Sequence, residues 1–413
     1  MTAIIGDRAS IEQRRRAAAE QARRQPVRRR HRQRRRSVGE LLGRHEALGP
    51  PPVTYYALAL VVFTGVALGL VMLLSASGPA RVIRDPNPYS MVLMQGLWAL
   101  FGLAVAVVVL SVPYRMWRST SAFIAIIGFA GMLLPFMPGL GKEVNDAQSW
   151  VVLGGISFQP SEPMKLVLII VAATILDRRH TGANRPRALL PLVGVFALAA
   201  ALLLAQGDFG SLVVIGAILL AMAFMAGVPL VHLAIPVIVA VSFLGLLVLT
   251  SPRRMGRFTA FFDIEGNRDY LAYQSWQGLL SIANGGLFGS GIGGSISKLG
   301  YLPLAHSDFI FAVIADELGL VGVVAVLGVF ALFCWCGVQA SLAAPDRFGM
   351  LLAGGISAWF GVQALVNIGG VVGALPVTGL TLPFFSHGGT SMMVSIVGAG
   401  LLMNVARRGV SER

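Results

Sequence analysis

Four places in the chain break an otherwise apolar pattern with residues that can do chemistry. The first is His306-Ser307-Asp308, followed by Asp316 and Glu317. A carboxylate at the edge of hydrocarbon is costly to keep, so it marks function by default. Asp308 reads as a carboxylate at the mouth of a cavity, with the other two acids deeper in. Asp308 and Asp316 are eight positions apart and would share one helical stripe. A helix cap at Ser307 or Asp308 would account for one acid, not three.

The second place is the run Gln159 to Lys165. Glu162 and Lys165 are i, i+3 neighbours that can pair. Ser161 can cap the helix, and Pro163 suits its first turn. The spacing fits a structural ion pair as well as a direct catalytic role. The third is Gln206 to Ser211, where Asp208 best fits a cap for the next helix. The fourth is 376–391, dense in turn formers and hydroxyls, Ser386 and Thr390 among them. It could hydrogen-bond a polar headgroup, or be a re-entrant turn lined by protein.

The elements that must position these residues are membrane helices. The chain has 413 residues, 55% hydrophobic and 13% charged, with a mean hydropathy of +0.74. Soluble domains carry roughly a quarter charged residues. Apolar runs are continuous and about 20 long, which excludes the alternating strands of a barrel. The predicted fold is an all-α polytopic membrane protein with ten spans. They fall at about 54–76, 91–112, 119–138, 162–177, 188–205, 209–227, 229–250, 308–338, 348–372 and 388–406.

Charge sets the orientation. Residues 1–50 hold fourteen Arg, no Lys and five acids, or +9 of the net +14. This segment reads as a disordered basic arm on the cytoplasmic side, meeting anionic lipid headgroups. No aromatic residue interleaves its arginines before Tyr55, which argues against nucleic acid as a partner. Residues 51–407 form the membrane domain and 408–413 a short cytoplasmic tail. Both termini then lie inside, and all four polar places face the outside, where they could form one pocket. The large outer loop 251–307, between the seventh and eighth spans, exceeds mere connection. Leu271–Ala283 could form a short helix lying on the membrane. Its glycines at 285–294 match a dinucleotide fingerprint by letter only, since no strand precedes them. They would permit tight turns and close backbone approach. Cys334 and Cys336 point apart on one helix and suggest neither disulfide nor metal.

The four places together resemble the SEDS family, membrane glycosyltransferases that polymerise peptidoglycan. The resemblance rests on FQPSEPMK (158–165), GDFGS (207–211), GLFGSGIGGSISKLGYLPLAHSDFIFAVIADELGLVG (286–322) and NIGGVVGALPVTGLTLPFFSHGGTSMM (367–393). It covers most of 50–407 and leans toward the division branch, FtsW, rather than the elongation branch, RodA. It implies ten spans, lipid II as substrate, and Asp308 as the essential aspartate. A carboxylate there would act as general base on the acceptor sugar's 4-hydroxyl, worth about 10²–10⁴ in rate. Inversion at the donor's anomeric carbon needs one displacement and one base. The departing undecaprenyl diphosphate needs positive charge, for which Arg257, Arg268, Lys298 and Lys142 are candidates. A divalent cation, Mg²⁺ or Mn²⁺, is the alternative, although no ligand cluster specifies one. Glu162, Lys165 and Trp150 would support the site, with His306, Asp208, Ser386 and Thr390 around it. Implied partners are a class B penicillin-binding transpeptidase of the FtsI kind and other division-site membrane proteins.

The chain departs from the family pattern at Leu304, where glutamate is usual, and at His387, where tyrosine is frequent. Gly207, Asp316 and Pro163 depart likewise. A lipid II transporter is the competing function. It would place charge throughout its depth, often in repeated halves with broken helices, and no internal repeat is visible. A scaffold recruiting a transpeptidase would leave the buried acids unexplained.

Overall fold

The computed structural model describes residues 50–81, 87, 89–144, 147–178, 189–250 and 252–409, all within one unit, Gly49–Arg413. The basic arm and the last four residues lie outside the described residues, and with them the arm's contact with lipid. Twelve α-helices are present among the described residues. They are α1 (Val53–Arg81), α2 (Ser90–Ser111), α3 (Arg115–Leu133), α4 (Ser161–Arg178), α5 (Leu190–Gln206) and α6 (Phe209–Met225). Then come α7 (Leu230–Leu249), α8 (Pro252–Phe262), α9 (Tyr273–Gly285), α10 (Ile310–Ala343), α11 (Arg347–Val371) and α12 (Gly389–Arg408). Ten of them match the ten predicted spans, and α8 and α9 lie in the long loop.

Among the described residues, six helices are long and apolar enough to cross a membrane: α1, α2, α3, α10, α11 and α12. Helices α5, α6 and most of α7 are shorter and apolar. Local chemistry sets the ends. Val112 is extended, as the residue before Pro113 must be, and it closes α2. Gly207 adopts a left-handed φ of 75° and closes α5. Asp346 caps α11 by accepting from the Gly349 amide at 2.7 Å.

Helix α2 packs along α12, α10 lies against α1 and α11, and α4 and α6 lie against α11. Helices α11 and α12 are the inner ones, while α7 is exposed along most of its length. Phe333, Phe360 and Phe384 form an aromatic stack in the core, with ring centroids 4.2 Å and 5.1 Å apart along it. Close van der Waals packing and interhelical hydrogen bonds hold these helices together, since lipid tails are as apolar as the faces they would cover.

Two features depart from expectation. The segment 139–161, expected as a loop, holds a three-stranded antiparallel sheet, β1 (Gly141–Val144), β2 (Ala147–Leu153) and β3 (Ile156–Phe158). Helix α10 begins at Ile310, not at 308, so Asp308 precedes it and shares no helical stripe with Asp316. Nor does Asp308 cap it: the cap position is Phe309, which makes no side-chain capping bond.

Candidate active site

Asp308 stands on the last turn of loop 300–309, half-buried in a recess beside α11. The recess is lined by Asn367, Val366, Thr378, Gly379 and Leu380, among others. Gly379 has φ 73°, and a β-carbon there would sit 3.6 Å from the Asp308 Oδ2. A left-handed glycine therefore lets the backbone lie beside the carboxylate. Burial pushes the Asp308 pKa up to about 6, and a hydrogen bond from Ser307 pulls the other way.

The frame around Asp308 is built from two loops. The Asn367 amide donates to the Asp308 carbonyl at 3.0 Å and to the Leu380 carbonyl at 2.6 Å. The Ser386 hydroxyl donates to the Ser307 carbonyl and accepts from the Leu382 amide, both at 2.7 Å. The His387 amide donates to the His306 carbonyl at 2.9 Å, and the two imidazole rings lie 5.8 Å apart. Gln95 of α2 ties down the far side by donating to the Ser386 carbonyl at 3.0 Å. Leu304 and Phe384, one in each loop, take positive φ values of 53° and 69°. Side chains other than glycine hold such angles only where the surroundings over-determine them.

The second and third places join the same end of the molecule. Lys165 and Glu162 pair at 2.7 Å with both side chains buried. The Lys165 ammonium also donates to Gln363 Oε1 at 2.9 Å, and Gln363 donates to the Thr381 carbonyl at 2.9 Å. The ion pair therefore braces loop 376–388 through Gln363 and does not touch Asp308. Asp208 caps α6, accepting from the Ser211 amide at 2.9 Å and from the Ser161 hydroxyl at 2.8 Å. Thr390 accepts from the Gln159 amide at 3.2 Å. Ser386 and Thr390 are buried, with their hydroxyls spent on these internal bonds.

Other expected site residues are not among those lining the recess. Trp150 is in β2, opposite Lys142 on β1. Arg268 is exposed in the turn before α9, beside Asp269. Arg257 belongs to α8. Lys298 is buried and committed to Glu317 at 2.6 Å. Asp316 and Glu317 are also fully buried and hydrogen-bonded, so they do not line the recess beside Asp308. Among the described residues, no three His, Cys, Asp or Glu side chains gather as a metal site.

Asn367 escaped the sequence reading although it heads one of the quoted strings. The available signal was a pair of amides, Gln363 and Asn367, one turn apart in an otherwise apolar helix. Its oxygen is buried with no hydrogen-bond partner, next to Asp308 in the recess.

The glycine-rich run proves to be a packing device. Helix α10 is broken at Gly319, with φ 64° and ψ −157°, a region that only glycine adopts readily. The loop 286–291 takes up the freed backbone groups. Ser290 and Gly291 amides donate to the Asp316 and Glu317 carbonyls at 2.9 Å and 3.0 Å, and the Leu320 amide donates to Gly286 at 3.0 Å. Unpaired backbone groups at membrane depth would be costly, so protein must supply these partners.

Comparison with known proteins agrees with this architecture. Residues 55–410 match the family model described as "Cell cycle protein", FTSW_RODA_SPOVE. The chain is 40% identical to the probable peptidoglycan glycosyltransferase FtsW of Idiomarina loihiensis, over 82% of this chain and 83% of that one. It is 34% identical to the stage V sporulation protein E of Bacillus subtilis, over 85% and 96%. Among solved structures, a chain from a study of how a peptidoglycan synthase complex coordinates polymerization and crosslinking superposes with TM-score 0.72. That match is 30% identical and covers 86% of this chain and 98% of the other. The rod shape determining protein RodA of Thermus thermophilus gives TM-score 0.63 at 29% identity, covering 86% and 97%. Sequence match, helix order and superposition all agree that the chain belongs to the FtsW/RodA/SpoVE family of cell cycle proteins.

Proposed function

We propose that this chain is a peptidoglycan glycosyltransferase of the division kind, joining lipid II units with Asp308 as general base. The observation that carries the reading is the Asp308 carboxylate, desolvated in a recess and framed by two loops. A base works best with a pKa near the operating pH, and a value of about 6 leaves the group ionised at neutrality yet more basic than a free carboxylate. Asp308 accepts the proton of the acceptor sugar's 4-hydroxyl as that oxygen attacks the donor's anomeric carbon. The bond from that carbon to undecaprenyl diphosphate breaks in the same displacement, and the configuration inverts. The name of the Idiomarina loihiensis relative, a probable peptidoglycan glycosyltransferase FtsW, supports the activity and its FtsW-like assignment over the RodA-like one.

The leaving diphosphate needs cations. Lys298 is withdrawn by its pairing with Glu317, so Arg257, Arg268 and Lys142 are the residues to test. Glu162, Lys165, Ser386, Thr390 and Asp208 hold the frame. The lipid chain would rest on apolar surface, and a cavity of about 280 Å³ between α1 and α10, lined by Leu68, Met72, Leu318 and Val326, supplies some. In this reading the protein sits in the bacterial plasma membrane with both termini cytoplasmic and Asp308 outside. A class B penicillin-binding transpeptidase and division-site membrane proteins are its partners. The synthase complex in which a structural relative was solved supports the first of these.

The break in α10 beside two buried acids favours a second reading, transport of lipid II, because discontinuous helices mark transport sites. Purified protein with labelled lipid II separates the two. Glycan ladders from wild type but not from Asp308→Ala support the polymerase. Ladders from both reject the base. Leaflet exchange without polymer supports the transporter.

A further inference from the structure

We propose that Lys298 and Glu317 are positioning residues for the reaction at Asp308, a clasp that fixes the register of the loop carrying it. This rests on the reading of Asp308 given above.

Lys298 precedes Asp308 by ten residues and Glu317 follows it by nine. Their ion pair, at 2.6 Å, closes the base of the segment in which Asp308 sits. The side chains are 1% and 0% exposed. Ser75 of α1 completes the clasp: its hydroxyl oxygen lies 2.7 Å from both Glu317 oxygens and accepts from Lys298 at 3.0 Å. The adjoining Asp316 is held in parallel. It accepts from Asn284 at the end of α9 at 2.8 Å, and from Ser295 at 2.5 Å and Ser297 at 3.3 Å on the incoming loop.

Anchoring alone does not call for charge here. Desolvating two ions is so costly that apolar side chains of similar volume often hold a site equally well or better. What an ion pair adds is register. If loop 284–308 slid by one residue against α10, a buried ammonium and a buried carboxylate would both lose their partners. The same slide would break the pairing of Ser290 and Gly291 with the α10 break. Asp308 would move with the loop, away from Asn367 and Gly379. The clasp touches no recess residue, so its effect on catalysis passes through the chain to Asp308.

The test uses the full-length protein in membrane-mimetic lipid with labelled lipid II. The double variant Lys298→Met/Glu317→Leu removes both charges and leaves none unpaired. Its kcat is expected to fall about tenfold or more with KM within about twofold, a split that marks loss of alignment rather than of binding. Its acid limb should also drop below the wild-type value, because a loosened Asp308 is better hydrated. The other titratable groups on or beside this loop include Tyr301, His306, Asp316 and His387, and all four remain in the variant. Ser75→Ala is the milder variant, chosen because it should fold in any case. It should lower kcat about threefold with KM within about twofold. Wild-type kcat and an unmoved acid limb in the folded double variant, or wild-type kcat in Ser75→Ala, would overturn the clasp. Asp308→Ala runs alongside. If it polymerises normally, the base assignment fails and the clasp falls with it. If it is dead while the clasp variants are normal, the clasp alone fails.

Discussion

If Asp308 must be ionised to take the acceptor's proton, the rate must follow its titration. Its pKa is about 6 rather than the ordinary 3.8, because burial disfavours the charged form. At pH 7 about nine-tenths of the molecules would then carry the ionised base, and at pH 5 about one-tenth. The value of kcat/KM should thus fall about tenfold between those values and reach half its maximum near pH 6. An unshifted carboxylate would lose less than about a tenth of its rate over the same range. The assay is initial-rate polymerisation of labelled lipid II well below saturation, which reads kcat/KM and so the base of the free enzyme, buffered from pH 4.5 to 8, with folding checked at each end. Ser307→Ala supplies a directional control. Its hydrogen bond favours the carboxylate, so its removal should raise the acid limb. Asp308→Ala should cost about 10²–10⁴ in rate. A flat profile down to pH 5 in a folded enzyme, or an acid limb that survives unchanged in Asp308→Ala, would refute the reasoning.

Three further outcomes are expected. Glu162→Gln leaves the Lys165 ammonium buried without its carboxylate, which should destabilise the protein by about 3–5 kcal/mol, while Glu162→Gln/Lys165→Met costs less; thermal unfolding in detergent measures both. Gly319→Ala places a β-carbon against the Leu287 and Gly289 backbone at a φ of 64°, so a loss of about 1–3 kcal/mol or more should appear in the same measurement. Asp208→Ala removes the α6 cap and its bond to Ser161, and should cost about 0.5–2 kcal/mol by thermal unfolding without moving the acid limb.

The helices were legible because hydrocarbon thickness dictates their length, and ten apolar runs became ten helices. The Asp208 cap and the Glu162–Lys165 pair were legible because both are local, spanning three residues each. The three-stranded sheet was hidden by its brevity: strands of four, seven and three residues give too little alternation to read. The fate of Asp316 and Glu317 was hidden for another reason. Their partners Ser75, Asn284 and Ser295 are 242, 32 and 21 positions distant, and nothing local points to them. The break at Gly319 looked like any glycine in an apolar helix. Its sign lay in the other glycine run, 286–294, whose spacing makes sense only against the opened helix. Lys298 seemed a free cation for the diphosphate, since composition cannot tell a paired lysine from an available one.

The supports of Asp308 come largely from carbonyls and amides of Ser307, His306, Asp308, Leu380 and Leu382, which every amino acid carries. Evolution can therefore exchange neighbouring side chains without dislodging the acid. Leu304 and His387 join this frame through backbone groups, whereas Asn367, Ser386 and Gln95 join it through side chains whose loss should unfasten it. Tolerance around this acid should follow who supplies the donor, not distance from the reacting oxygen.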